Sequence, residues 1–159
     1  MIKPHEVELR LHTPETEISY ELPADQLEFT GLPQDLIRED AGDPKKHLVI
    51  IWVRGREAGF FELDGSEDRR KYTDNPDTLL LRGYSVDPGL QGRGVATGSI
   101  RALPEFVRRH FPKINEVVLG VNARNTAAKH VYQRAGFKDT GRRFMGKKGE
   151  QLVMSLRVK

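Results

Sequence analysis

The chain has 159 residues and a mass of 18.1 kDa, a length that suits one domain burying about two thirds of the surface its unfolded form exposes. With 37% hydrophobic, 8% aromatic and 31% charged residues it is too polar for a membrane-embedded chain and too apolar for a disordered one. No apolar run approaches the roughly 18 to 20 residues of a spanning helix. The opening MIKPHEVELR lacks the apolar core of a secretory signal, and the absence of cysteine excludes disulfides, thiolate metal sites and a cysteine nucleophile, so a cytoplasmic protein is expected.

The net charge of +3 conceals an asymmetry. Residues 1–77 hold 10 Lys/Arg against 18 Asp/Glu, whereas residues 78–159 hold 16 against 5. A local surplus of one sign concentrates the opposite one, so an anionic ligand is expected on the C-terminal half.

In chain order, Val7, Leu9 and Leu11 alternate with polar residues and predict a strand; Ile18, Tyr20 and Leu22 repeat the pattern after the Thr13-Pro14 turn signal, although this run is equally compatible with a helix. Residues 23–43 are acidic and punctuated by proline, which predicts an irregular surface with one short helix over Pro33–Asp40. HLVIIWV (47–53) and AGFFEL (58–63) flank Arg54-Gly55-Arg56-Glu57 and read as a hairpin of buried strands. The charged stretch 64–77 predicts a solvated loop, and Leu79–Val86 a strand ended by Asp87-Pro88-Gly89. Ala96, Ile100, Leu103 and Val107 have the spacing of an amphipathic helix starting near Gly92–Gly94, with Pro104 expected to kink or restart it. A buried strand over Asn115–Val121, a second helix over Asn125–Ala135 stopped by Gly136-Phe137, and strands over 137–143 and 151–158 complete the chain. The fold class is α/β in the mixed α+β sense, one sheet with helices on both sides.

Gln91-Gly92-Arg93-Gly94-Val95-Ala96 lies between a buried strand and a helix, so its backbone N–H groups face an anion-binding helix N-terminus. Gly92 and Gly94 permit close approach of backbone to phosphate, Ala96 leaves room at the first turn, and Arg93 adds charge. An ordinary tight turn is the plainer reading. A Walker loop and the dinucleotide spacing both fail, the latter because position 97 is Thr.

The segment Val86-Asp87-Pro88-Gly89-Leu90-Gln91-Gly92-Arg93-Gly94-Val95-Ala96 resembles the Arg/Gln-x-x-Gly-x-Gly/Ala motif of the GNAT family of N-acetyltransferases, with Gln91, Gly94 and Ala96 at the defining positions. A second family pattern, Asn-x-x-Ala-x-x-x-Tyr-x-x-x-Gly-Phe, is matched by Asn125, Ala128, Tyr132, Gly136 and Phe137. The resemblance implies a single N-acetyltransferase domain over residues 1–159, with a central, mostly antiparallel sheet whose two parallel middle strands splay apart. Acetyl-CoA would lie in that gap as cosubstrate, with no metal. Residues 91 to 96 (Gln91, Gly92, Arg93, Gly94, Val95, Ala96) would hold its pyrophosphate and Asn125 its pantetheine arm, while a backbone N–H near Val86 would face the thioester oxygen.

By the same resemblance Tyr132 is the general acid for the departing thiolate; a phenol of pKa about 10 against a thiol of about 8.5 makes that transfer uphill by roughly 2 kcal/mol. The strand before the Gly-rich turn carries no carboxylate, a departure from some relatives, which leaves Glu62 as the candidate base, an exposed hairpin residue as its plainer reading, and water as the alternative proton acceptor. The five histidines show no metal-ligand spacing. The family's acceptor pocket corresponds to residues 15–43 and 141–151; the acidity of the first predicts a small cationic amine, by direct attack in a ternary complex. A protein or peptide N-terminus is the alternative acceptor. A reading of another class is a nucleic-acid-binding module using Arg134–Lys148, including Arg142, Arg143, Lys147 and Lys148, against which stands the scarcity of stacking aromatics. No membrane partner is expected, and a homodimer is compatible with relatives that associate through their C-terminal strands.

Overall fold

The computed structural model describes residues 1–27 and 30–159. Alternating apolar residues build β1 (Val7–Leu11), and the continuous apolar runs build β2 (Lys46–Val53) and β3 (Arg56–Asp64), joined by the two-residue Arg54-Gly55 turn. Between β1 and β2 come α1 (Ala24–Leu27) and α2 (Pro33–Asp40). Then follow β4 (Thr78–Val86), α3 (Val95–His110), β5 (Glu116–Asn122), α4 (Thr126–Arg134), β6 (Lys138–Gly146) and β7 (Gly149–Arg157). The seven strands form one sheet in the order β1-β2-β3-β4-β5-β7-β6, in which β4 and β5 are the one parallel pair.

Buried side chains divide between the two faces. Phe61, Leu63, Leu79 and Leu81 join Ile100, Leu103 and Val107 of α3 and Tyr132 of α4 in the larger cluster, while Ile50 and Phe60 meet Leu36 and Ile37 of α2 on the other face. Ile18, Tyr20 and Leu22 belong to that second cluster, but their segment is neither the strand nor the helix its pattern allows. Its carbonyls find a side chain instead of a ladder: the Gln34 amide donates to Ile18 O at 2.9 Å and to Tyr20 O at 3.0 Å. Likewise α3 is continuous through Pro104 rather than restarting there. The apolar stripe of its neighbours, packed on the sheet, outweighs the one lost hydrogen bond. The loop over 64–77 contains a short 3₁₀ turn at Glu67–Lys71.

Two irregularities of β4 set up the site. Its pairing with β3 shifts register between Phe60 and Glu62, where Gly83 and Tyr84 form an extra residue's worth of strand before Ser85 meets Phe60. Its parallel pairing with β5 covers only Thr78↔Glu116, Leu79↔Val117 and Leu80↔Val118. Beyond Leu80 and Val118 the two strands part, and β5 turns its remaining pairing toward β7 alone.

Candidate functional site

A cavity of about 770 Å³ opens where β4 and β5 separate, walled by residues 81–86 of one strand and 119–122 of the other. Strand ends that bond to nobody across the gap leave backbone N–H and C=O groups available to a bound chain. Of the residues singled out by the sequence, Val86, Gln91, Gly92, Gly94, Val95, Ala96, Asn125 and Tyr132 all line this space. Arg93 is exposed beside it, outside the lining.

At one end of the cavity, Gly98 is the first α3 residue whose N–H bonds within the helix, to Gly94 O at 3.0 Å. The N–H groups of Val95, Ala96 and Thr97 therefore have no intrahelical acceptor, and Gly94 as N-cap supplies no side chain to them. The two glycines differ in what requires them. Gly94 has φ +96°, and a Cβ there would stand 2.8 Å from Ile2 O, because the N-terminal segment hydrogen-bonds this turn through Ile2 N–H to Arg93 O at 2.7 Å. Gly92 has φ +76° and nothing within 4 Å of its missing Cβ, so its surface is open to a ligand. The Gln91 side chain is already engaged. Its amide donates to Val86 O at 3.0 Å and pairs reciprocally with the Gln26 amide of α1, both bonds 2.9 Å.

Tyr84 and Tyr132 line the cavity and Tyr20 stands against Ser85 of its wall; of these three, Tyr132 has the hydroxyl without a partner among the described residues. Tyr84 reaches Ser99 Oγ at 2.5 Å, and Tyr20 reaches Ser85 Oγ at 2.8 Å. Tyr132, 8% exposed and set edge-on to Tyr84 at 6.2 Å, has no hydrogen-bond partner among the described residues. Burial alone pushes its pKa well above the ordinary phenol value. Asn125 caps α4 through Oδ1, which accepts from Ala128 N–H at 3.2 Å, while its Nδ2 has no protein acceptor among the described residues.

Glu62 is not the exposed hairpin residue that its plainer sequence reading gives. It is fully buried on the face toward α2, neither carboxyl oxygen meets a donor, and it is absent from the cavity lining. Burial first, then the neighbouring Asp40 carboxyl, pushes its pKa up to about 8. Two ionised carboxylates side by side repel and burial disfavours the charge, so the neutral form of Glu62 is the favoured one. Arg82, 43% exposed, does line the cavity, with Nε 4.0 Å from Glu62 and Nη1 3.3 Å from Asp64 and 3.6 Å from Asp68. This packing was hidden from the sequence, because nothing local shows that α2 covers this face of β3 and brings Asp40 to it.

Of the predicted acceptor segment 15–43, the described residues Asp25, Gln26 and Thr30 line the cavity; 28 and 29 lie outside the described residues. None of the described residues 141–151 does, but Lys148 Nζ donates to Leu27 O at 2.8 Å and braces α1 from the β6–β7 hairpin. Part of the basic stretch considered for nucleic acid is engaged within the fold: Arg143 on Asp139 at 2.7 Å, Arg142 at 3.5 Å from Asp74, and Lys148 on Leu27. Among the described residues, no group of three or more His, Asp or Glu is placed to hold a metal ion, and no helix is long and apolar enough to cross a membrane.

Comparison with known proteins agrees with this geometry. The chain is 38% identical over 90% of its length to the uncharacterized N-acetyltransferase YbbJ of Bacillus subtilis, covering 89% of that protein. Its fold matches that of the aminoglycoside acetyltransferase AAC(6')-Ib in complex with paromomycin and acetyl-CoA, with a TM-score of 0.72 at 19% identity over 96% of this chain and 93% of that one. It also matches spermidine N-acetyltransferase from Vibrio cholerae in complex with CoA and spermine, with a TM-score of 0.66 at 16% identity over 96% of each chain. With residues 12–137 matching the model of the acetyltransferase (GNAT) family, the chain belongs to that family of acyltransferases.

Proposed function

We propose that this acetyltransferase moves the acetyl group of acetyl-CoA directly to the primary amine of a small cationic metabolite, both held in the cavity between β4 and β5, with residues 1–159 acting as one domain. The parting of the parallel strands after Leu80 and Val118 carries the reading: it leaves two strand edges unpaired beside a helix N-terminus with free N–H groups. An extended thioester arm ending in a diphosphate matches that shape and charge. In this reading Gly92–Ala96 donate N–H groups to the pyrophosphate, Arg93 contributes charge from outside, and Gln91 holds the turn by its bond to Val86 O. Asn125 turns its free Nδ2 to the pantetheine arm, and a backbone N–H near Val86 faces the thioester oxygen, a donor worth on the order of 3 kcal/mol of barrier.

Tyr132 supplies the proton to the departing thiolate. Burial makes it a weaker acid, but the same desolvation raises the basicity of a thiolate beside it, so the uphill gap between the two is not widened. Proton removal from the amine goes to water: Glu62 does not line the cavity, and an ammonium of pKa about 10.4 needs only its neutral fraction supplied. A cationic acceptor is favoured by Asp25 in the lining and by Asp64 and Asp68, which already offset Arg82. The test is release of CoA thiol with panels of cationic amines, anionic amines and peptide N-termini. A preference for small cations is expected; equal rates with anionic amines, or a preference for peptides, would contradict the acceptor assignment.

A further inference from the structure

Ser85 is a cavity-lining residue whose chemistry the mechanism above leaves unused. It follows the register shift of β4 and pairs with Phe60, whose side chain packs toward α2, so the Ser85 side chain stands on the α1–α2 side of the gap, where Asp25, Gln26 and Thr30 also line the cavity. It is 5% exposed. The Tyr20 hydroxyl lies 2.8 Å from Ser85 Oγ and is directed at Ser85 O at 3.4 Å. With one proton on each hydroxyl, the arrangement that uses both contacts has Tyr20 donating to Ser85 O and Ser85 donating to Tyr20. In that arrangement Ser85 Oγ keeps lone pairs, not a proton, for a ligand at the cavity wall. An amine is the complementary partner: one N–H donates to Ser85 Oγ, which leaves the nitrogen lone pair to be aimed elsewhere.

On the reading of the protein as an amine acetyltransferase, we propose that Ser85 binds and orients the acceptor nitrogen, and that Tyr20 is a positioning residue that fixes the Ser85 hydroxyl with its lone pairs toward the cavity. Tyr20 is itself fixed: its ring is buried in the cluster under α2, and its carbonyl takes the Gln34 amide at 3.0 Å. Burial raises its pKa far above the ordinary phenol range, so it stays a hydroxyl and serves as an anchor rather than a base. The segment that carries it has no regular structure, which explains why a residue 65 positions away from Ser85 gave no sequence signal.

The experiment compares wild type with Ser85→Ala, Ser85→Thr and Tyr20→Phe, using spermidine, benzylamine and glycinamide as acceptors, with acetyl-CoA affinity by calorimetry and Tm recorded in parallel. Ser85→Ala is expected to lower kcat/KM for the amines about 10- to 30-fold and Tyr20→Phe about 3- to 10-fold, the loss of one hydrogen bond and of its alignment. Acetyl-CoA affinity should stay within about twofold, and Ser85→Thr, which keeps the hydroxyl, should recover most of the rate. A merely structural role predicts a lower Tm with unchanged kcat/KM in the folded protein, and that result would overturn the inference, as would parallel loss of acetyl-CoA binding. Wild-type protein that binds acetyl-CoA yet transfers to none of the three amines would also overturn it. Wild-type protein that binds no acetyl-CoA is a different failure, that of the parent reading.

Discussion

The two ends of the β4–β5 pair are built on opposite principles. At the closed end Glu116 gathers four donors: Thr78 Oγ1 at 2.9 Å, Asn75 Nδ2 at 3.2 Å, Thr73 Oγ1 at 3.4 Å and Ser155 Oγ at 2.5 Å, which tie the β3–β4 loop, β4, β5 and β7 together. At the open end, a few residues along the same strands, several polar groups are left unspent: N–H groups at the start of α3, Nδ2 of Asn125 and the hydroxyl of Tyr132. A parallel pair forced apart must be held firmly somewhere, because each unpaired edge costs hydrogen bonds that only a ligand or water restores. One carboxylate gathers the donors at the closed end, and several donors stay free where chemistry is proposed.

The largest effect separating the two ends is expected from Glu116→Ala. It strands several part-buried donors and should cost about 3 kcal/mol of stability by denaturant titration, with acetyl-CoA affinity of the folded protein unchanged. The milder Glu116→Gln sharpens the point through pH. Burial opposes ionisation of Glu116, but the bonds from Ser155, Thr78, Asn75 and Thr73 together hold its pKa below the usual value. Its contribution is therefore present above the unfolded carboxyl value and lost as pH falls through the lower folded one. The wild type should lose its advantage over Glu116→Gln in that acid window.

At the open end Tyr132→Phe should do the reverse: kcat falling on the order of 10²-fold, with stability and acetyl-CoA affinity preserved, since no protein hydrogen bond is lost. Equal kcat would remove the acid from the mechanism. Glu62 belongs to neither end and gives a prediction of its own. With its folded pKa raised to about 8, it weakens the fold progressively as pH climbs from the unfolded carboxyl value toward 8. Glu62→Gln should thus be nearly neutral near pH 5 and more stable than wild type at pH 8, by on the order of 4 kcal/mol or a Tm about 10 °C higher. The smallest effect is expected from Asn125→Ala, about 1 kcal/mol for the lost helix cap, with a modest rise in the Kd for acetyl-CoA.

Most elements were legible because periodicity and punctuation agree locally: Pro33–Asp40 is the helix the sequence predicts, and Asn125, Tyr132 and Gly136-Phe137 take the cap, inward face and stop that their spacing implies. The failures are non-local. Gly94 reads as a phosphate-approach glycine, yet Ile2, from the far end of the chain, sets its steric requirement. Gln91 occupies a motif position, yet its side chain is held by Gln26. Glu62 reads as an exposed residue of the hairpin, but α2 covers that face and Asp40 comes with it. In each case the deciding partner is dozens of residues away, and no spacing rule reaches it.

Binding of acetyl-CoA at the open end is tested by calorimetric titration of acetyl-CoA into wild type, Gly92→Asn and Gly92→Asp. Substitution at Gly94 is a poor probe because it collides with Ile2. At Gly92 the space is open, and Asn and Asp tolerate the left-handed backbone about equally, so the pair isolates charge at the anion cradle. Micromolar, one-to-one binding to wild type is expected, with similar binding to Gly92→Asn and at least about tenfold weaker binding to Gly92→Asp. Absence of binding to folded wild type, or equal binding to the Asn and Asp variants, would contradict it.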